Sequence, residues 1–318
     1  MAWSLEDIPS QQGRVVVVTG ANGGLGLATA KALAGKGAHV VMAARNQSKA
    51  AAASQGILSA FPQASLEVVA LDLGSLASVK AAATQVLRAH GRIDLLVNNA
   101  GLMAMPEART EDGFEMQFGV NHLGHWALTA HLLPALLRAD AARVVSVTST
   151  AHHGGRAVNP ANPHLRGNYA PWKAYGQSKL ANYHFALGLQ REFGTRGLAA
   201  QSLVAHPGLS HTELQVRTVD EGGAGFSGRF FQWLAARTGM PAERGSLPQL
   251  RAATDPRARG GQMYAPRFVN NGAPVRRPIL RRIGLDRAIE TLWAVSERET
   301  GVSLNIDAAV AQAAERAG

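Results

Sequence analysis

The sequence predicts an α/β fold, a single-domain doubly wound parallel sheet, and three observations carry that prediction. Short apolar and β-branched runs alternate with longer helical stretches, the order that builds parallel strands joined by crossover helices. The first run, residues 14–18, leads directly into the glycine-rich turn Thr19-Gly20-Ala21-Asn22-Gly23-Gly24-Leu25-Gly26 and then an alanine-rich helix. A second run at residues 38–43 completes a βαβ unit.

Strands are expected at residues 14–18, 38–43, 65–70, 95–98, 143–147, 199–204 and 261–264, with helices between them. At the first turn, glycines let the backbone approach a pyrophosphate, and the positive end of the helix starting near Gly24 attracts its charge. Gly20, Asn22, Gly23, Gly24, Leu25 and Gly26 are therefore candidate nucleotide contacts. After the second strand the chain reads Ala43-Ala44-Arg45-Asn46, and the carboxylate that would favour the ribose hydroxyl of NAD is missing. Arg45 can hydrogen-bond and neutralise a 2′-phosphate, so NADP(H) is favoured over NAD(H), with Lys49 an outer contact. The competing reading points Arg45 to solvent.

The segment 110–137 reads as predominantly helical, and the helix at 172–193 carries Tyr175 and Lys179, spaced as Y-G-Q-S-K. One helical turn brings an acid/base phenol within reach of an ammonium. A free tyrosine titrates near pH ~10 and a positive neighbour favours phenolate, so Lys179 is expected to bring Tyr175 toward a useful working pKa. Ser149 follows the strand at 143–147, at the carboxyl edge where ligands bind in an open α/β sheet, and its hydroxyl can orient a carbonyl. Thr148 and Thr150 offer flanking hydroxyls.

Composition agrees with one soluble globular body: 318 residues, 46% hydrophobic and 17% charged. No apolar run approaches the ~20 residues a membrane span needs, and residues 1–12 lack the basic-then-apolar form of a secretory signal. A cytoplasmic location without a membrane span is expected. Zero cysteines exclude disulfides, cysteine nucleophiles and thiolate metal sites. No metal is expected, because His152 and His153 lack a carboxylate cluster, and His122, His125 and His131 are assigned to packing, helix contacts or a dimer face. The net charge is +10, and Arg267, Arg276, Arg277, Arg281, Arg282 and Arg287 crowd the carboxyl third. Pro266, Gly272, Pro274 and Pro278 interrupt that stretch, so a recognition helix and a nucleic-acid partner are not expected. A solvated surface, or contact with an anionic substrate or an oligomer partner, are the standing readings.

From about residue 13 to at least Thr212 the chain resembles the short-chain dehydrogenase/reductase family. The motifs run in family order: T-G-x-x-x-G-x-G at Thr19 to Gly26, Asp72, N-N-A-G at Asn98 to Gly101, Asn121, Ser149, Y-x-x-x-K at Tyr175 to Lys179, and P-G-x-x-x-T at Pro207 to Thr212. V-N-H-L-G-H at Val120 to His125, T-A-H-H at Thr150 to His153, S-K-L-A-N at Ser178 to Asn182 and H-P-G at His206 to Gly208 resemble the retinol dehydrogenase-like and protochlorophyllide reductase-like branch.

The resemblance implies a Rossmann-type sheet with a variable substrate lid. It implies that Asp72 and Leu73 lie against the adenine, that Asn99, Ala100 and Gly101 border the cofactor, that Pro207 and Gly208 approach the nicotinamide, and that Thr212 binds its carboxamide. It also implies four catalytic roles. Ser149 hydrogen-bonds the reacting oxygen, Tyr175 moves its proton, Lys179 lowers the tyrosine pKa and holds the ribose, and Asn121 supports a water-mediated relay. Assembly as a homodimer or homotetramer, through the helix after Asn121 and the catalytic helix, is expected on the same basis.

One domain spans residues 1–318, with a cofactor-binding and catalytic core at 13–205, a substrate lid at 206–260, and a last strand and C-terminal extension at 261–318. Residues 151–172, holding His152, His153, Pro160, Pro163, Tyr169 and Trp172, are expected to form a substrate-side loop. The glycine-rich 221–228 suggests an irregular lid, with Phe230, Phe231, Trp233 and Leu234 either lining an apolar cavity or packing on the core. The expected reaction is reversible hydride transfer between nicotinamide and a small hydrophobic alcohol, aldehyde or ketone. Reduction of an activated C=C bond and a catalytically silent nucleotide-binding protein are the alternatives.

Overall fold

The computed structural model describes residues 2–209, 240–280 and 283–315. Its elements alternate as expected: β1 (Val15–Thr19), α1 (Gly24–Gly35), β2 (His39–Ala44), α2 (Gln47–Ala60), β3 (Ser65–Ala70), α3 (Leu76–Ala89) and β4 (Leu95–Asn98). After α4 (Met116–Phe118) come α5 (Gly124–Leu137), β5 (Arg143–Val147), α6 (Pro171–Thr195) and β6 (Gln201–Ala205). The carboxyl end adds α7 (Ala242–Gly245), α8 (Leu247–Thr254), β7 (Met263–Pro266), β8 (Pro274–Arg277), α9 (Leu285–Thr300) and α10 (Ile306–Glu315).

The strands form one sheet in the order β3-β2-β1-β4-β5-β6-β7-β8. All neighbours are parallel except β7 and β8. Alternate residues of each apolar run serve opposite faces, which is why the runs are continuous rather than amphipathic. Val16, Val18, Val40, Met42, Leu95 and Val97 pack with Leu33 of α1 and Leu250 of α8. Val17, Val41, Val69, Leu96 and Val144 pack with residues of α3, α5 and α6 on the other side.

Two sequence expectations change. Residues 110–115 are not helical: Gly113 at φ +83° closes a turn, and Arg109 and Glu115 form an isolated antiparallel bridge. Helix begins only at α4, where the Glu115 carboxylate accepts from Gln117 N at 2.8 Å and Phe118 N at 2.7 Å. The last strand of the sheet is β8 rather than β7. Its prolines read as breakers in sequence, yet Pro274 opens an antiparallel edge strand, where a missing N–H is tolerated. That hairpin also uses part of the basic stretch, since Arg277 Nη2 donates to Pro266 O at 3.0 Å.

On the outer side of the sheet the chain's own α9 packs against α6 and α10 against α5. Trp293 of α9 stacks on Phe185 at 5.7 Å and meets Trp126 edge-on at 5.2 Å, while Trp126 Nε1 donates to Val302 O at 2.8 Å. A Cβ at Gly188 would lie 2.3 Å from the Trp293 ring, so the glycine sets how closely α6 and α9 approach. His122 and His125 are buried inside the chain, His122 bonding Ser296 Oγ at 2.7 Å, in keeping with the packing and helix-contact reading of these rings. Among the described residues no helix is long and apolar enough to cross a membrane.

Candidate active site

A cavity of about 740 Å³ runs along the carboxyl edge of the central strands. It brings together Gly20, Asn22 to Gly26, Arg45, Asp72, Leu73, Asn99 to Gly101, Ser149, Tyr175, Lys179, Pro207 and Gly208. The sequence separated these by up to 188 positions, and the parallel topology collects them because every β-to-α turn emerges on the same edge. Thr212, residues 221–228, Phe230, Phe231, Trp233 and Leu234 lie outside the described residues.

At one end the glycine turn has the shape a pyrophosphate requires. Gly20 and Gly24 take φ +67° and +52°, and a Cβ at Gly26 would lie 2.2 Å from Gly20 O. Gly23 is the N-cap of α1 and offers no side-chain bond, leaving the first-turn N–H groups for a ligand anion. The turn is pinned from behind: Thr19 Oγ1 accepts from Asn99 N and Ala100 N, both at 3.0 Å, and Asn99 Nδ2 donates to Thr19 O at 2.8 Å.

Arg45 lies on the cavity wall with Nη1 4.0 Å from Asp72 Oδ2, its side chain 63% exposed. Such an open, long pair contributes little and leaves the guanidinium available to an anion. Asp72 Oδ1 is engaged by Gly74 N at 2.8 Å. Lys49 does not line the cavity.

At the other end, α6 presents Tyr175 and Lys179 beside Ser149. Thr148 is already committed, its hydroxyl donating to Lys179 O at 2.7 Å, whereas the Ser149 side chain is near enough to the Tyr175 phenol to favour its ionised form. This sets Thr148 apart from Ser149 and Thr150, both of which also line the cavity. Lys179 Nζ donates to Val147 O at 3.4 Å. Burial pushes the Tyr175 phenol up to about 12, with Ser149 opposing it, and burial lowers Lys179 to about 8. The expected lowering of Tyr175 by Lys179 is therefore overturned in the protein alone. Both groups are 5% exposed, and desolvation disfavours each charged form more than the ammonium favours a phenolate.

Asn121 stands behind the wall rather than in it. It sits in a π-helical turn, Gly119–Leu123, a distortion that frequently marks functional sites. Its side chain clamps Leu102, accepting from Leu102 N at 2.6 Å and donating to Leu102 O at 2.9 Å, and also donates to Ser178 Oγ at 2.9 Å. His125 joins this turn to the nucleotide loop. The Asn121 carbonyl only accepts, so His125 Nδ1, 3.0 Å away, carries the proton, and the bare Nε2 accepts from Thr19 Oγ1 at 2.9 Å. Burial holds His125 down at about 4, which keeps that tautomer neutral.

Of the expected substrate-side loop, only Ala151 and Trp172 line the cavity. Trp172 belongs to the first turn of α6 and meets Tyr175 edge-on at 5.9 Å. Tyr169 instead donates to Met105 O at 2.6 Å, and Pro163 O accepts from Gln177 at 2.8 Å, so the segment packs against the body of the protein. Leu102, Met103, Leu209 and Asn270 are wall residues that sequence reading missed. Asn270 arrives on the β7–β8 turn and carries no local signal.

Residues 14–222 match the family described as short chain dehydrogenase. The chain is 41% identical to polyprenol dehydrogenase of Mus musculus over 263 residues, 80% of this chain and 75% of that protein. It is 41% identical to retinol dehydrogenase 13 of Homo sapiens over 203 residues, 64% of this chain, and spans only 60% of that relative's length. Among solved structures, an uncharacterized protein from Mycobacterium Paratuberculosis matches with a TM-score of 0.78 at 40% identity, covering 96% of this chain and all of that one.

Proposed function

The chain belongs to the short-chain dehydrogenase/reductase family, in its retinol dehydrogenase-like branch, and on that premise we propose that it is an NADP(H)-dependent oxidoreductase acting on a hydrophobic alcohol, aldehyde or ketone. The observation that carries this reading is the grouping of Ser149 with the buried Tyr175 and Lys179 in one cavity whose wall also carries Arg45.

The glycine turn and the first amides of α1 would hold the pyrophosphate, and Arg45 the 2′-phosphate. Bound there, the nicotinamide supplies or accepts hydride. Lys179 holds the ribose beside it. Ser149 orients the substrate oxygen, and Tyr175 Oη gives that oxygen a proton in reduction or removes one in oxidation. Asn121 acts from behind the wall, fixing the Leu102 backbone and Ser178 beside the Tyr175 turn.

Apolar walls support a hydrophobic substrate: Leu102, Met103, Ala151, Trp172 and Leu209 line the same cavity as Tyr175, and Trp172 meets its ring edge-on. The names of the two curated relatives, a polyprenol and a retinol dehydrogenase, agree with that class. The test is NADPH oxidation by purified protein over hydrophobic aldehydes, ketones and enones, with NADH and Tyr175→Phe in parallel and products identified. Alcohol products lost in the variant support the reading. A saturated carbonyl product would assign C=C reduction instead, and undiminished variant activity would remove Tyr175 from the mechanism.

A further inference from the structure

At the edge of the sheet opposite the cofactor cleft, three side chains converge from three elements. His39 opens β2, Glu67 lies on the edge strand β3, and His90 caps the end of α3. The register aligns them. His39 pairs with Ser65, and Glu67, two residues on, projects to the same face, which is the face α3 covers. One ligand atom from each of the three residues lies within 4.8 Å of the others, and all three side chains are mostly buried, 14–27% exposed.

A plain ion pair accounts for only two of them. His90 Nε2 meets Glu67 Oε2 at 2.8 Å. His39 Nε2 stands 3.8 Å from the same oxygen, beyond hydrogen-bond range, and is a buried ring nitrogen with no hydrogen-bond partner. A second imidazole aimed at an already satisfied carboxylate, with its nitrogen unpaired, has no structural use in an ion pair. It does have one in a metal site.

We propose that His39 Nε2, the Glu67 carboxylate and His90 Nε2 bind one divalent transition-metal ion of the zinc class, with solvent in the fourth position. The donor set, two imidazoles and a carboxylate, is one that holds zinc with a single open position. Metal–ligand bonds of about 2.0–2.1 Å in a tetrahedron put ligand atoms roughly 3.3 Å apart, between the 2.8 Å and 3.8 Å contacts present. The three ligand atoms together span up to 4.8 Å, so binding the ion requires the side chains to rotate inward.

Supporting contacts already orient the ligands. His39 Nδ1 bonds Ser65 Oγ at 2.7 Å, an arrangement that, with the proton on Nδ1, leaves the Nε2 lone pair toward the other two ligands. Glu67 Oε1 accepts from Gln85 Nε2 at 3.3 Å, leaving Oε2 for the ion. The ion would clip β2, edge strand β3 and α3 together, far from the hydride-transfer chemistry, so the site stands or falls independently of the proposed activity.

The experiment is calorimetric titration of the chelator-treated full-length protein with Zn²⁺, for the natural chain and for His39→Gln, Glu67→Gln and His90→Gln, with circular dichroism to check each fold. One equivalent is expected, with at least a tenfold weaker Kd in every variant, and a Zn²⁺-dependent rise in Tm only in the natural chain. Unchanged affinity in the three variants, or no uptake up to millimolar Zn²⁺, overturns the proposal. Should a variant misfold, the histidine ring resonances of the natural chain decide: shifts at His39 and His90 on adding Zn²⁺ support the site, and shifts confined to other histidines reject it.

Discussion

Lys179 Nζ stands 5.8 Å from the centre of the Tyr175 ring, one helical turn along α6, and each side chain is only 5% exposed. Their burial, more than their mutual attraction, sets how they titrate. Lys179 falls from 10.5 to about 8, so the folded protein holds a disfavoured charge below pH 8 and sheds it before the unfolded chain does. Stability is therefore expected to rise between pH about 8 and 10.5, by up to about 3 kcal/mol from this group. Chemical denaturation across that range checks it. In Lys179→Met the rise should be missing.

Tyr175 titrates on the other side, from 10.0 up to about 12. As proton donor it stays protonated across the neutral range, so kcat for reduction should be flat from pH 6 to 9. As acceptor it must first ionise, so alcohol oxidation should climb with pH over the same interval. Tyr175→Phe is expected to lower both by about 10²–10⁴. Steady-state pH profiles in both directions decide, and a flat oxidation profile would count against Tyr175 as the base.

Arg45 is exposed on the cavity wall, held only by a 4.0 Å contact to Asp72. Charge-assisted hydrogen bonds to a phosphate are worth about 1.5–3 kcal/mol. Arg45→Ala should therefore raise KM for NADPH by roughly 10–100-fold and leave KM for NADH nearly unchanged. Equal effects on the two cofactors would assign Arg45 no part in reading the 2′ position.

His125 couples the nucleotide loop to the catalytic turn through Thr19 and the Asn121 carbonyl. His125→Leu fills the space and leaves both polar groups without this partner, a cost of about 2 kcal/mol in Tm-derived stability. Because Thr19 also positions Asn99 and Ala100, the KM for NADPH should rise in the same variant. A stability loss without any change in cofactor binding would reduce His125 to a packing role.

Much of the site was legible in one dimension because its signals are local. A glycine turn between a β-branched run and an alanine-rich helix, or a tyrosine one helical turn from a lysine, is written in adjacent residues. Seven of the strands follow from the same short-range pattern, since a strand buried on both faces must be apolar throughout. β8 was hidden because its prolines read as interruptions, and only an edge position in the sheet makes them acceptable.

The sequence by itself determined seven of the eight strands, the glycine turn and the Tyr175–Lys179 pair, because period, turn chemistry and spacing are local properties, while resemblance to the family supplied Asp72, Asn99 to Gly101, Pro207 and Gly208. Tertiary structure decided the rest. It raised rather than lowered the Tyr175 pKa, covered α5 and α6 with α9 and α10, brought Asn270 to the cleft, and assembled His39, Glu67 and His90. Burial and contact between distant segments are properties of the packed chain, and no window of sequence contains them.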